Sequence, residues 1–251
     1  MEKELKYRIK ALADFMFPRE CAVCGRFLDY SEKHLCLFCE ADFPLTYSWI
    51  TPHNRFADSF NDKIQKWVLE HDVTYKEYYA YVSCLFFYQT GNQFSKITQE
   101  VKYYGNLELG QILGQRLGEE MATQEHFRDV DLIVPVPLHW TRHFTRGYNQ
   151  AEHIAKGLAR GMGLPLETSL LVRERRTKTQ TRVGVEGKMM NVRGAFAVRE
   201  EVAQKWADVK HVVVVDDVFT TGATTFECWR VLREHFGPSL RISVATLAGV
   251  G

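Results

Sequence analysis

Residues 212–225, VVVVDDVFTTGATT, constrain this chain more than any other stretch. Four valines run into two aspartates, and a Thr-rich turn then carries a Gly-Ala pair. An unbroken apolar run bounded by turn residues predicts a strand buried on both faces, as in a parallel sheet. The aspartates fall at its C-terminal end, where open α/β sheets place their ligands. The turn opens a predicted helix that continues through CWRVLREHF. Free backbone N–H groups at a helix N-terminus, backed by the helix dipole, suit a phosphate. Two carboxylates beside that cradle suit ribose hydroxyls or a metal, so the unit reads as a phosphosugar site. An ordinary buried strand before a capped helix accounts for the valines and one cap threonine. It leaves two adjacent acids, and four threonines around Gly222-Ala223, unexplained.

Other phosphate motifs fail on their spacing. A P-loop needs G-x-x-x-x-G-K-[ST]. The nearest candidate is Gly187-Lys188, but Arg182 stands where the first glycine belongs and Met189 follows the lysine. Gly161-Met162-Gly163 closes a helical pattern instead of following a strand, which predicts a helix C-cap and no dinucleotide fingerprint. By contrast, Asp216-Asp217, two residues, then Thr220-Thr221-Gly222-Ala223-Thr224 resembles the phosphoribosyl-pyrophosphate (PRPP) loop of type I phosphoribosyltransferases.

The 251 residues suffice for one sizeable domain plus a small module. A content of 45% apolar and 25% charged residues is that of an ordinary globular chain, and a net charge of +1 supplies no bulk field toward nucleic acid or membrane. Residues 139–193 differ, with eleven Lys/Arg against four Glu. A basic segment in a neutral chain points to an anionic ligand on one face. No leader pattern and no apolar stretch of membrane-spanning length is visible, so a cytoplasmic location is the expectation.

Cys21-x2-Cys24-x11-Cys36-x2-Cys39 is a pair of Cys-x-x-Cys knuckles, a four-thiolate set for a structural Zn²⁺. Disulfides are the alternative, disfavoured in a cytoplasmic setting. His34 lies near the second knuckle and is read as a loop residue, since four sulfurs close the site. Cys84 and Cys228 sit in apolar patterns and read as core thiols. Ahead of the module, Leu5, Ile9, Leu12, Ala13 and Met16 recur at helical spacing among basic residues. That helix is expected to pack on the module or main domain, with peripheral membrane contact as the alternative.

The expected organisation is a helix and zinc module over 1–50, a connector over 51–77, and an α/β domain over 78–251. Strands are predicted in 78–88, 131–137, 170–176, 194–199, the valine run and RISVATLAG, with helices between them. That alternation implies a largely parallel sheet with helices on its faces.

Taken together these parts resemble the competence protein F (ComF) family over nearly the whole chain. FPRECAVCG (17–25) and LCLFCE (35–40) match its zinc module, and Lys102-Tyr103-x-Gly105 its helix–turn segment. VPVPLHWTRHFTRGYNQAEHIAKGLA (134–159) matches its most distinctive stretch, with Arg142, Arg146, Gly147, Asn149 and Gln150 in place. RTKTQT (176–181) and NVRGAF (191–196) match its next block, while Tyr148 replaces a frequent Phe. The resemblance implies a zinc module fused to a type I phosphoribosyltransferase-like domain. It also implies a link to DNA uptake in natural transformation, with PRPP, single-stranded DNA and competence-machinery proteins as partners.

In that fold Thr220, Thr221, Gly222, Ala223 and Thr224 are expected to cradle the 5′-phosphate. Asp216 and Asp217 are the expected catalytic acids, contacting the ribose hydroxyls and steadying a substrate-borne Mg²⁺. Arg142 and Arg146 are expected at the pyrophosphate, with guanidinium forks suited to phosphate oxygens. Arg175, Arg176 and Lys178 are expected to form a lid, a nucleic-acid contact or a solvated loop; His139 and His143, near the site, read as surface residues, with proton acceptors as the alternative. No residue identifies an acceptor. Two readings stay open: transfer of phosphoribose to an unknown acceptor, or a non-catalytic PRPP- or nucleotide-sensing, DNA-binding module.

Overall fold

The computed structural model describes residues 18–71, 78–138, 147–174 and 194–251. After the cysteine knuckles come a short helix α1 (Leu37–Ala41) and a longer α2 (Arg55–Glu70). The main domain then runs β1 (Val82–Tyr88), α3 (Ser95–Tyr103), α4 (Leu107–Ala122), β2 (Leu132–Pro135) and α5 (Gln150–Met162). It continues with β3 (Leu171–Arg173), β4 (Phe196–Val198), α6 (Glu200–Ala203), β5 (His211–Phe219), α7 (Ala223–Phe236) and β6 (Arg241–Val250). This is an α/β fold. Its four-stranded sheet, in the order β1-β6-β5-β2, is parallel throughout.

Alternation along the valine run builds two cores. Val212 and Val214 face a layer formed by α2, α7 and the β3–β4 ribbon, with Phe60, Ile64, Trp229 and Leu232 buried there. Val213 and Val215 face α3, α4 and α5, with Val101, Leu113, Ile154 and Leu158. Both faces are thus covered by helices, as a continuous apolar strand requires. The helix after β5 lies on one face and the helix after β2 on the other. The carboxyl ends of these adjacent strands therefore flank a topological switch point, where such sheets bind ligands.

Two segments depart from the sequence reading. The 51–77 stretch, expected as a connector, contains the 16-residue α2. Asn54 caps it by accepting from the N–H groups of Phe56 and Ala57, and Phe56, Phe60 and Ile64 enter the core. The predicted strands over 170–176 and 194–199 shrink to β3 and β4, which pair antiparallel with each other outside the main sheet.

Backbone-on-backbone packing fixes α5 against α4. A Cβ built on Gly157 would lie 2.0 Å from the carbonyl oxygen of Gln111, and one on Gly114 would lie 2.3 Å from that of Ile154. Only glycine permits such an approach. Helix α5 ends as predicted on Gly163, in the left-handed region at φ 67°.

Candidate functional site

The two aspartates occupy the stretch where β5 outruns its neighbour. Pairing with β2 stops at Pro135–Val215, whereas pairing with β6 continues to Phe219–Gly249. Side chains alternate along a strand. Asp216 therefore shares the face of Val212 and Val214, and Asp217 that of Val213 and Val215. Read from the sequence as one pair, the acids serve opposite faces of the sheet.

Asp217 is buried, and two side chains from distant elements converge on its Oδ2. Lys102 Nζ, from the last turn of α3, lies 2.8 Å away, and Gln150 Nε2, from the first residue of α5, donates at 3.3 Å. Asn149 holds that helix start, accepting from Ala151 N at 3.2 Å and donating to Val136 O at 3.1 Å. Burial disfavours the Lys102 ammonium. Asp217, with help from Asp216, outweighs that effect and holds the ammonium above its ordinary range.

Asp216 accepts the Asp217 N–H at 2.8 Å. Loss of hydration, followed by repulsion from Asp217, pushes its carboxyl up to about 7, while Lys102 and Arg173 oppose the rise. Arg173, on β3, also acts on Cys228, so it approaches from the α7 face. The acids are thus flanked by a lysine on one face and an arginine on the other. The site thus pairs Asp217 with a lysine, while the Asp216 carboxyl exchanges its proton near neutrality.

The turn after β5 has the geometry of an anion cradle. Gly222 is the N-cap of α7 at φ 70°, and it offers no side-chain oxygen to the first-turn N–H groups. The N–H groups of Thr221, Gly222, Ala223 and Thr224 find no acceptor among the described residues. Those donors stand at the positive end of a 14-residue helix. Thr225 is committed to the turn, donating to Gly222 O at 3.1 Å, whereas Thr221 and Thr224 are half-exposed. A side chain at Gly222 would meet Phe219 at 2.7 Å and Phe60 at 3.2 Å, so packing as well as φ demands glycine.

The residues predicted from the sequence divide into two groups. Asp216, Asp217, Thr220, Thr221, Gly222, Ala223 and Thr224 come together around one strand end and one helix start. Arg142, Arg146, Arg175, Arg176, Lys178, His139 and His143 lie outside the described residues. Lys102, Gln150 and Arg173 join the site without having been assigned a role. Lys102 and Gln150 did stand inside distinctive segments, but nothing local in either segment names Asp217 as their target.

The second candidate centre is the cysteine module. The sulfurs of Cys21, Cys24, Cys36 and Cys39 all lie within 4.8 Å of one another. Cys24 and Cys36 sulfurs are 3.7 Å apart, close to the ~3.8 Å edge of a tetrahedron with Zn–S bonds of about 2.3 Å. Cys36 N and Cys39 N aim at sulfur, 3.4 Å from Cys21 and 3.5 Å from Cys36. Burial opposes ionisation of Cys21, but backbone N–H groups led by that of Cys24 bring it down to about 7. Burial and the neighbouring thiols push Cys39 up, so this sulfur cluster calls for a cation. The donor set fits a divalent metal with four sulfur ligands. His34 stands outside the cluster and faces Glu108 at 3.4 Å. Cys84 and Cys228 are buried in the core, as expected.

The module is anchored to the helices behind the site. Lys96 Nζ on α3 donates to Val23 O at 3.1 Å, and Arg116 on α4 pairs with Glu40 and lies over the Phe43 ring. Cys21, Cys36 and Cys39 belong to the same buried cluster as α3, α4 and α5. No helix among the described residues is long and apolar enough to cross a membrane.

No protein-family profile and no curated protein matches the chain. Among solved structures, it is similar to the allosteric regulatory enzyme of purine biosynthesis, at 20% identity and a TM-score of 0.35. It is equally similar to a glutamine PRPP amidotransferase from B. subtilis complexed with ADP and GMP, with 20% identity and a TM-score of 0.35. Each alignment covers 59% of this chain and 30% of the other, so the chain spans under a third of the length of these structures. A likeness this slight carries no chemistry, which rests instead on this chain's own residues.

Proposed function

We propose that this chain binds PRPP at the carboxyl end of β5 and transfers its phosphoribosyl group to an acceptor. The observation that carries the reading is the joint geometry of Asp216, Asp217 and the uncapped α7 N-terminus around Gly222. A 5′-phosphate on the Thr221–Thr224 amides brings a ribose onto the acids. Transfer builds positive charge on the ribose ring as pyrophosphate departs. The protein's part is then orientation and electrostatic stabilisation. Asp217, paired with Lys102, lies near the ring, and Asp216 takes or gives a proton at the hydroxyls. Arg142 and Arg146 are the proposed pyrophosphate ligands, and Arg175, Arg176 and Lys178 the proposed lid. Mg²⁺ enters as part of the substrate, since Lys102 already engages Asp217 and phosphate oxygens suit the ion better.

The same reading makes the chain a member of the ComF family. Cys21, Cys24, Cys36 and Cys39 then hold a structural Zn²⁺ that supplies rigidity and no chemistry, since four ligands leave no open position. It divides the chain into a metal module over 1–50, a connecting segment over 51–77 and a phosphoribosyltransferase-like domain over 78–251, in a cytoplasmic setting with a role in DNA uptake.

A second reading is a non-catalytic PRPP or nucleotide sensor that binds single-stranded DNA. Exposed Phe27 and Phe38 on the cysteine module, with the Arg26 guanidinium 4.7 Å from the Phe38 ring centre, favour stacking by bases.

Calorimetry with PRPP and Mg²⁺ on the wild type and on Asp216→Asn/Asp217→Asn tests the site, and equal binding by both proteins refutes it. Pyrophosphate release against a panel of bases, nucleosides and oligonucleotides tests turnover. Silence across the panel with PRPP binding intact selects the sensor.

A further inference from the structure

Gln150 is a site residue whose hydrogen bonding is half complete. Its side-chain amide is buried, at 6% exposure, and Nε2 is used on Asp217. Its Oε1 is buried in the ligand-free protein and has no hydrogen-bond partner among the described residues. An unpaired buried acceptor is costly, and functional sites are where such atoms persist. Rotating the amide offers no relief, because it would set Oε1 against the Asp217 carboxylate. The backbone that carries it is held in place as well. Asn149 caps the helix start, and the Gly114 and Gly157 contacts hold α5 against α4.

The chemistry of the missing partner follows from its neighbours. The Lys102 ammonium is already bonded to Asp217 Oδ2, within the same cluster as Gln150. With a cation already on Asp217, a further cation is not called for, and the donor that Oε1 lacks is best brought by something that itself seeks carboxylates. A sugar hydroxyl meets both requirements, since it donates to Oε1 while its neighbour on the ring donates to an aspartate.

We infer that Gln150 is a specificity-determining residue that reads one ribose hydroxyl, its Oε1 accepting from that group while its Nε2 braces Asp217. This rests on the PRPP reading given above. A sugar lacking that hydroxyl leaves Oε1 buried and unpaired, so the site discriminates between ribosyl and deoxyribosyl phosphates. An unmet buried acceptor corresponds to a loss of about 5- to 150-fold in affinity.

The test is calorimetry, in the presence of Mg²⁺, with PRPP, 2-deoxy-PRPP and 3-deoxy-PRPP on the wild type and Gln150→Met. Methionine keeps length and volume but offers no comparable acceptor. In the wild type each deoxy compound is expected to bind more weakly than PRPP. In Gln150→Met one of the two penalties shrinks to about threefold or less, and the other persists. Both penalties persisting unchanged overturns the inference and reduces Gln150 to a brace for Asp217. Both collapsing together overturns it too, because the acids themselves have then moved. Melting of both proteins without ligand shows whether the variant is folded. A wild type that fails to bind PRPP refutes the site reading and the inference together. A wild type that binds PRPP but ignores both deletions refutes the inference alone.

Discussion

Asp216→Asn is expected to stabilise the ligand-free protein, by an amount that depends on pH. The substitution keeps the shape of the side chain and an oxygen for the Asp217 N–H, but removes the charge. In the native state the Asp216 carboxyl is displaced from its ordinary 3.8 to about 7. Each pH unit of displacement corresponds to about 1.4 kcal/mol, so ionising Asp216 in place costs the folded state roughly 4 kcal/mol. Below pH 4 both states carry a neutral carboxyl and nothing is lost. Between about 4 and 7 the unfolded chain ionises first, and native stability falls with rising pH; above 7 the loss is complete. An asparagine never ionises. The variant is therefore expected to gain roughly 1.5 kcal/mol at pH 5 and up to about 4 kcal/mol at pH 8. Water reaches the half-buried side chain, which makes the second figure an upper value. Urea unfolding of both proteins at the two pH values, with equal metal content, measures the difference. An equal effect at pH 5 and pH 8, or a destabilised variant at pH 8, refutes this account of the site. Weakened PRPP binding in the same variant would mark that strain as functional.

Three further perturbations follow from the packing. Lys102→Met leaves Asp217 buried without its cation. A loss of roughly 1–3 kcal/mol is expected on denaturant unfolding, below the ~3–5 kcal/mol of fully buried pairs because the Lys102 side chain is 28% exposed; a change under ~0.5 kcal/mol contradicts the pairing. Gly157→Ala drives a methyl into the Gln111 carbonyl, at a cost of about 3 kcal/mol or more and a fall of about 6–12 °C in Tm. An unchanged melting curve contradicts the packing. Purified protein is expected to carry one zinc per chain by elemental analysis, and Cys36→Ser to lose it and melt at lower temperature. Metal-free wild-type protein with unaltered melting contradicts a structural zinc.

Much of the site was legible because its determinants are local. VVVV followed by DD needs only the strand period and the rule that ligands meet strand ends. The Thr-Gly-Ala-Thr turn carries its own helix start, and cysteine spacing is arithmetic. Contacts across the fold were not legible. Lys102 and Gln150 reach Asp217 from 115 and 67 residues away in sequence, and no pattern in either segment predicts that meeting. Helix α2 is a different kind of omission. Phe56, Phe60, Ile64, Trp67 and Val68 follow a helical period behind the Asn54 cap, but prolines and aromatics on either side obscured it. Strands β3 and β4, three residues each, are too short for alternation to show whether they join the main sheet.

The glycine contact between α4 and α5 bears on how this molecule can move. Packed helices ordinarily slide by small steps because side chains between them change rotamer and absorb the shift. Here carbonyl oxygens and α-carbons meet directly, and neither has a rotamer to change. Shear along this seam is blocked, so the seam acts as a fixed bearing. Any closure over a ligand has to carry these two helices together. Mutational drift is confined in the same way, since replacing Gly114, Gly118, Gly157 or Gly161 with any larger residue pries the bearing apart.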